Sequence, residues 1–232
     1  MNINFKDKIQ NVINIIISNL PEYKDKIYLV GGSVRDIILG FDIYDLDFVT
    51  EEDPFAITRK LQETGFGNNV TDHYKYGNSF IDIENLSLEF TRARLEGYDE
   101  NSRFPHIFPG TVEEDAERRD FTVNSLMVNI YDREGTVIDF SHRGLSDLEN
   151  KIIDTVTDPN ESFYEDPLRM YRAVRFAGRF DFNLASRVKD AIKKNKDRVS
   201  IIPKSNIKSE IDKMNDKALD MMKEFNLPQE IK

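Results

Sequence analysis

The 232-residue chain contains no cysteine, only three histidines, and no apolar run long enough to matter to a membrane. Without thiols, neither a disulfide framework nor a thiolate zinc site can form. The histidines, His73, His106 and His142, are scattered without ligand spacing, so they receive no metal-binding or catalytic assignment. Val12 to Leu20 is interrupted by Asn14, Ser18 and Asn19 and is too short to span a bilayer. Nothing at the N-terminus has the order of a cleavable signal. Cytoplasmic residence without a membrane partner is the expectation. Internal repeats and low-complexity tracts are also missing, and a chain of this length buries a real core most simply as one catalytic domain plus a smaller appendage.

A net charge of −10 argues against nonspecific coating of nucleic acid, which depends on clustered cations releasing counterions. The charge is unevenly spread. Residues 161–232 carry 16 Lys+Arg against 12 Asp+Glu, net +4, which leaves 16 against 30, net −14, in residues 1–160. An acidic half joined to a basic half suits an enzyme that holds metals at one end and a nucleic acid along the other. Lysines on solvated helix faces would give the same count.

The spacing of apolar residues predicts a helix over 9–20 ended by Pro21, a strand over 27–30, a helix over 33–39, a strand over 45–49 and a helix from Pro54 to about Thr64, with Gly65 as its stop. Residues 78–90 read as two strands around a turn. Residues 97–110, with Pro105, Pro109 and little periodicity, read as a mobile loop of the kind that carries function. A strand near 128–131 and a turn at Gly135 follow, and from Pro167 the chain reads as mostly helical.

The most informative stretch is YLVGGSVRDIILGFDIYDLDFVT, from Tyr28 to Thr50. The Gly31-Gly32 turn lets backbone approach a ligand closely. The N–H groups opening the next helix favour an anion, and Arg35 adds a donor fork suited to phosphate. In Asp45-Leu46-Asp47-Phe48-Val49, strand alternation turns both carboxylates to one face, and two hard carboxylates on a rigid edge favour Mg²⁺. Taken singly, a Gly-Gly is an ordinary turn and a D-x-D an ordinary solvated strand end. Together the segment resembles the first signature of the polymerase-β-like nucleotidyltransferases, specifically the class II (bacterial-type) tRNA nucleotidyltransferase and poly(A) polymerase family, G-G-x-V-R-D-x-L-L-G followed by D-x-D. The match is nearly complete, with Ile37-Ile38-Leu39-Gly40 in its apolar part.

Three further segments carry the resemblance. In LEFTRAR, Glu89 points opposite to Leu88 and Phe90; it is a surface glutamate or, as the family's E-x-x-x-x-R setting implies, the third catalytic carboxylate. Arg118-Arg119-Asp120-Phe121-Thr122 with Asn124 resembles the second signature, which implies that Arg119 contacts the incoming nucleotide while Asp120 and Asn124 brace the pocket; Ser125 stands where alanine is common. In EDPLRMYRAVRFAGRF, Arg169, Arg172, Arg175 and Arg179 share one helical sector, and Met170, Ala173, Val174, Ala177 and Phe180 another, at about 100° per residue. On local grounds Asp166 is a helix cap. Resemblance to the family's base-reading signature, E-D-x-x-R-x-x-R-x-x-R, implies instead that Asp166 and Arg169 choose the base and that Arg172 and Arg175 hold the triphosphate. Such a pair complements an amino donor beside a ring-nitrogen acceptor, the pattern shared by cytosine and adenine and reversed in guanine and uracil.

The resemblance implies an α/β (α+β) fold: a polymerase-β-like nucleotidyltransferase head with a small mixed sheet over 1–150, then a helical neck over 151–232 containing the base-reading helix. It implies a metal-dependent RNA 3′-end nucleotidyltransferase, most simply a CCA-adding enzyme that moves CMP and AMP from CTP and ATP to a tRNA 3′ end. Two Mg²⁺ ions would sit at Asp45 and Asp47, with Glu89 as third carboxylate and Gly32 and Arg35 securing phosphates. A poly(A) polymerase, or an enzyme adding only CC or only A, shares the same three blocks; a noncatalytic RNA-binding module is the more distant alternative. In the last part, Ile207, Glu210, Ile211 and Met214 keep the spacing of the family's neck pattern while Lys204 to Asn206 depart from it. Usual family members continue through helical body and tail regions. The 161–232 segment alone is therefore expected to hold tRNA weakly and with steep salt dependence, unless a homodimer supplies the missing surface.

Overall fold

The computed structural model describes residues 1–100 and 102–228. Two compact units divide the chain. The first comprises Met1–Leu95, Ile107–Ala116 and Asn124–Phe140; the second comprises Glu96–His106, Glu117–Val123 and the chain from Ser141 onward.

In the first unit, α1 (Asp7–Asn19) buries Ile9, Val12, Ile13 and Ile16 on one side, and Pro21 opens the turn that follows. Strand β1 (Ile27–Val30) leads into α2 (Gly32–Leu39), which stops at Gly40, a left-handed residue at φ 78°. After β2 (Asp45–Thr50), α3 (Pro54–Glu63) starts with the Asp53 side chain accepting the Phe55 N–H and with proline at its first position. Then come β3 (Gly67–His73), β4 (Asn78–Ile83) and β5 (Leu86–Arg92), the last two joined through Glu84 and Asn85. The chain continues through β6 (Arg94–Gly97), β7 (His106–Pro109), α4 (Val112–Glu117), β8 (Met127–Asn129) and β9 (Val137–Ile138).

Seven of these strands form a mixed sheet in the order β3-β4-β5-β2-β1-β8-β9, with β2 and β5 parallel and the other neighbours antiparallel. The small mixed sheet with flanking helices is the α/β fold that the sequence implies. Leu46, Phe48, Leu88 and Phe90 are buried, with the Phe48 and Phe90 rings stacked 4.8 Å apart, so this face of β2 and β5 is anchored in core. The opposite face carries Asp45 and Asp47 on β2 and Ser87, Glu89 and Thr91 on β5, while Val49 beyond them is buried in a second apolar cluster with Val30, Val112 and Met127.

In the second unit, α5 (Gly144–Glu149), β10 (Ile152–Ile153), α6 (Pro159–Glu165), α7 (Leu168–Phe180), β11 (Asn183–Leu184), α8 (Ser186–Asn195), α9 (Lys204–Ile211) and α10 (Asp216–Glu224) follow in order. Helix α7 is its centre, packed by α6, α9 and α10. Gly178 lets α10 come close: a Cβ there would lie 2.5 Å from the Ala218 Cβ and 2.7 Å from its backbone nitrogen.

Two expectations need correction. Strand β3 has no counterpart in the sequence reading, and the 97–110 segment is not structureless, because 106–109 forms β7. Asn101 within that segment, and the last four residues of the 151–232 segment, lie outside the described residues.

Candidate active site

Each unit carries a polar group of residues. In the first unit, Asp45 is exposed and Asp47 half-buried on β2, while Leu46 and Phe48 between and beside them are buried. The predicted alternation is therefore present. Parallel pairing places Glu89 of β5 directly opposite Asp47, and Ser87 opposite Asp45. Residues in register on neighbouring strands project from the same face, so all three carboxylates share it. Among the described residues, no three Asp, Glu or His side chains are already gathered closely enough to hold a metal ion together.

The Glu89 carboxylate is held from one side. Asn78 on β4 donates its Nδ2 to Glu89 Oε1 at 2.6 Å, and the Thr91 hydroxyl donates to the same oxygen at 3.2 Å. The backbone at Asp47 is fixed as well, its N–H donating to Ser33 Oγ at 3.0 Å. Ser33 sits in the first turn of α2, so the glycine turn and the carboxylate strand are tied together.

That turn depends on Gly31, at φ 66° and ψ −127°, a conformation open in practice to glycine alone. Gly31 donates its N–H to the Leu126 carbonyl at 3.0 Å and accepts from the Arg35 N–H at 3.1 Å. Gly32 differs. It has no unusual φ, and a Cβ there would meet only the Arg35 guanidinium, with Nη2 at 3.4 Å and Cζ at 4.0 Å. Internal sterics therefore do not require glycine at position 32, and a bare backbone there suits close approach of a ligand. Arg35 is buried; its Nε donates to Asp36 at 2.7 Å and its Nη1 to the Asn124 side-chain oxygen. Arg35 and Asn124, 89 positions apart in sequence, are thus direct partners.

In the second unit, Asp120 accepts the Phe121 N–H at 2.8 Å and Arg172 Nε at 2.7 Å. Burial opposes the Arg172 charge, but Asp120, with Glu210 and Asp166 beyond, outweighs it and raises the pKa. Arg119 lies beside Asp120, half-buried. Asp166 accepts the Leu168 N–H at 3.0 Å, as a cap would, and both of its oxygens accept from Arg103, at 2.8 and 2.9 Å. Arg169 is buried; it donates to Ser162 Oγ at 2.9 Å and to the Arg118 carbonyl at 3.0 Å.

Arg175 donates to Glu210 of α9 at 2.6 Å, with both side chains over nine-tenths buried, and lies over the Phe176 ring at 4.0 Å. Burial lowers the Arg175 pKa and Glu210 partly offsets it. The arginine sector of α7 is thus mixed in exposure. Arg169 and Arg175 are enclosed, Arg172 is intermediate, and Arg179 is exposed.

Sequence reasoning missed Ser33, Asn78, Thr91 and Arg103. Ser33, Asn78 and Arg103 act through bonds to residues 11 to 63 positions away, which no local pattern encodes, whereas Thr91 lies two positions from Glu89 on the same strand face. The donor set suits a hard divalent cation: Asp45 and Asp47 are carboxylates on one face, and Glu89, opposite Asp47, has one oxygen held in place. No helix of the described residues is long and apolar enough to cross a membrane.

Residues 27–154 match the poly(A) polymerase head domain family. The chain is 40% identical over 167 residues to an A-adding tRNA nucleotidyltransferase of Aquifex aeolicus, covering 72% of this chain and 20% of that protein. It is 35% identical over 201 residues to a CCA-adding enzyme of Lactobacillus helveticus, covering 86% of this chain and 48% of that one. A tRNA nucleotidyltransferase solved with a primer tRNA and an incoming ATP analogue superposes with a TM-score of 0.79 at 30% identity, over 93% of this chain and 62% of that chain. The chain thus spans less than two thirds of the length of each of these relatives.

Proposed function

We propose a nucleotidyl transfer to RNA 3′ ends for this chain, which belongs to the class II tRNA nucleotidyltransferase and poly(A) polymerase family through its head domain. The reading favoured is CCA addition, with CMP and AMP taken from CTP and ATP and pyrophosphate released. The observation that carries it is the placement of Asp45, Asp47 and Glu89 on one face of the parallel strand pair, beside the glycine turn at Gly31-Gly32. The names of the relatives and the bound RNA and ATP analogue of the solved one support tRNA and nucleotides as partners. Residues 1–150 are taken as the catalytic head and 151–232 as the neck, with cytoplasmic residence.

The family generally uses divalent metal ions. Asp45 and Asp47 would hold them, with Mg²⁺ the expected ion and two the expected number. Bound there, such ions supply acidity to the 3′-hydroxyl and neutralise charge on the leaving pyrophosphate. The chain's own residues do the remaining work. Gly32 and Arg35 secure phosphate, Asp120 and Asn124 brace the pocket through their bonds to Arg172 and Arg35, and Arg119 contacts the nucleotide. Asp166 offers an acceptor and Arg169 donors to the base edge, while Arg172 and Arg175 add positive charge for the triphosphate.

A second reading, addition of A alone, is favoured by the 40% identity to the A-adding enzyme. Incubating the protein with tRNA lacking its CCA, and separately with tRNA ending in CC, with each labelled NTP in turn, distinguishes them. CCA addition requires CMP incorporation into the first RNA; incorporation of AMP only, and only into the second, selects the A-adding reading. No incorporation into either overturns both.

A further inference from the structure

We infer that Asn78 is a positioning residue for transfer, aiming the Glu89 carboxylate by holding one of its two oxygens. The inference rests on Glu89 acting in the reaction proposed above. Asn78 lies on β4 opposite Thr91 of β5, and Glu89 is opposite Phe80 of β4 and Asp47 of β2. Asn78, Thr91, Glu89 and Asp47 therefore occupy one face across three strands. Both donors converge on a single atom: Asn78 Nδ2 and the Thr91 hydroxyl reach Glu89 Oε1 at 2.6 and 3.2 Å. Oε2 receives no hydrogen bond among the described residues and keeps its lone pairs for a cation or a hydroxyl proton. A carboxylate with one oxygen pinned cannot swing, so the other is presented in a narrow range of directions, which is what a shared ligand must do.

The other end of the Asn78 amide shows that the arrangement is not there for stability. Its Oδ1 is buried and accepts no hydrogen bond. A buried acceptor left unsatisfied destabilises a fold, whereas an apolar strand former of similar width would remove the defect and suit β4. Asn78 thus sacrifices stability in order to present its Nδ2 to Glu89. Sequence offered no sign of this, since Asn78 is eleven positions from Glu89 and belongs to no signature.

The test compares Asn78→Val, Thr91→Val and Glu89→Gln with the wild-type chain by three measurements. These are the melting temperature, Mn²⁺ affinity of the RNA-free protein by electron paramagnetic resonance, and the single-turnover rate of nucleotide incorporation. Asn78→Val is expected to melt at or above the wild-type temperature, to bind Mn²⁺ several-fold more weakly, and to react ten- to a hundred-fold more slowly at saturating nucleotide. Thr91→Val shifts the same quantities less, in keeping with its longer bond. In the Glu89→Gln background, Asn78→Val should weaken Mn²⁺ binding no further, because it acts through that carboxylate. Wild-type Mn²⁺ affinity and rate in Asn78→Val, or a rate loss matched by a drop in melting temperature, overturns the positioning role. Wild-type rate and Mn²⁺ affinity in Glu89→Gln would instead show that the assignment of Glu89 itself is wrong.

Discussion

Asp47 and Glu89 are paired in register on the parallel strands β2 and β5, 42 positions apart in the chain and on one face of the sheet. Their burial differs from that of their neighbours: both are half-buried, while Phe48 and Phe90, paired beside them, are fully enclosed and stacked. The core side of the strands thus fixes the backbone from which the acidic side projects, and removing a carboxylate should leave that backbone intact.

Replacing Asp45 or Asp47 by alanine is accordingly expected to lower incorporation by about 10²–10³-fold or more, the loss of several kcal/mol of transition-state stabilisation. The melting temperature should stay within a few degrees, because neither side chain packs in the core. Chelating divalent ions should mimic the substitution in the wild-type chain. Activity within a few-fold of wild type in either variant would remove both residues from the site.

Arg103 and Asp166 make the second testable pair. With both carboxylate oxygens engaged by the guanidinium, Arg103 competes with an incoming base for Asp166. Arg103→Ala is expected to tighten CTP and ATP binding a few-fold while keeping their preference over UTP and GTP. Asp166→Ala should instead relax that preference, since about 1–3 kcal/mol of penalty for leaving a buried group unpaired disappears. Single-turnover incorporation of the four nucleotides reads both effects, and an unchanged preference in Asp166→Ala would refute the base-reading role.

Arg175 and Glu210 form an ion pair over nine-tenths buried. Glu210→Ala strands the arginine and should cost about 3–5 kcal/mol in urea unfolding, whereas Arg175→Met combined with Glu210→Leu should cost less than the single change. If the single and double variants unfold alike, the pair is not the buried, mutually dependent contact described.

Much of this architecture was legible in the sequence because it rests on local patterns. The D-x-D alternation, the Asp53-Pro54 start and Gly65 stop of α3, and the paired strands β4 and β5 all follow from short-range rules. Strand β3 escaped notice because GNNVTDH is polar, with its residues exposed or half-buried and no apolar alternation to mark it. The 97–110 segment was misjudged for a related reason: Arg103 is held by a partner 63 positions later, and β7 is only four residues long. The α7 arginines share one sector by angle, but angle does not tell solvent from a buried carboxylate. Only the fold brings Glu210 to Arg175.

The pH dependence of stability should carry a signature of Asp147. Burial raises its pKa, Asp154 adds to the rise, and the Thr122 hydroxyl bond at 2.6 Å with Arg143 and Arg187 opposes it. A raised folded-state pKa means that its contribution is fully present below the unfolded value, near pH 4, and is lost as pH rises through the folded value. Asp147→Asn, which still accepts from Thr122, should therefore gain stability relative to wild type as pH increases from about 4 towards neutrality. Urea midpoints measured across that range check it, and parallel curves for the two proteins would exclude the effect.

The two adjacent glycines should separate folding from function. Gly31 sits at φ 66° and ψ −127°, so Gly31→Ala forces a side chain into a conformation that costs about 1–3 kcal/mol. It should also disturb the start of α2, and with it the Ser33 contact to the Asp47 backbone, lowering both melting temperature and activity. Gly32→Ala meets no such strain and no close atom of the chain, its Cβ resting 3.4 Å from Arg35 Nη2. It should melt like the wild-type chain, yet bind nucleotide at least several-fold more weakly, because the added methyl occupies the space left for phosphate. Isothermal titration with CTP and ATP, run beside thermal melts of both variants, decides between the roles. Normal nucleotide binding by a fully folded Gly32→Ala protein would place the phosphates elsewhere than on this turn.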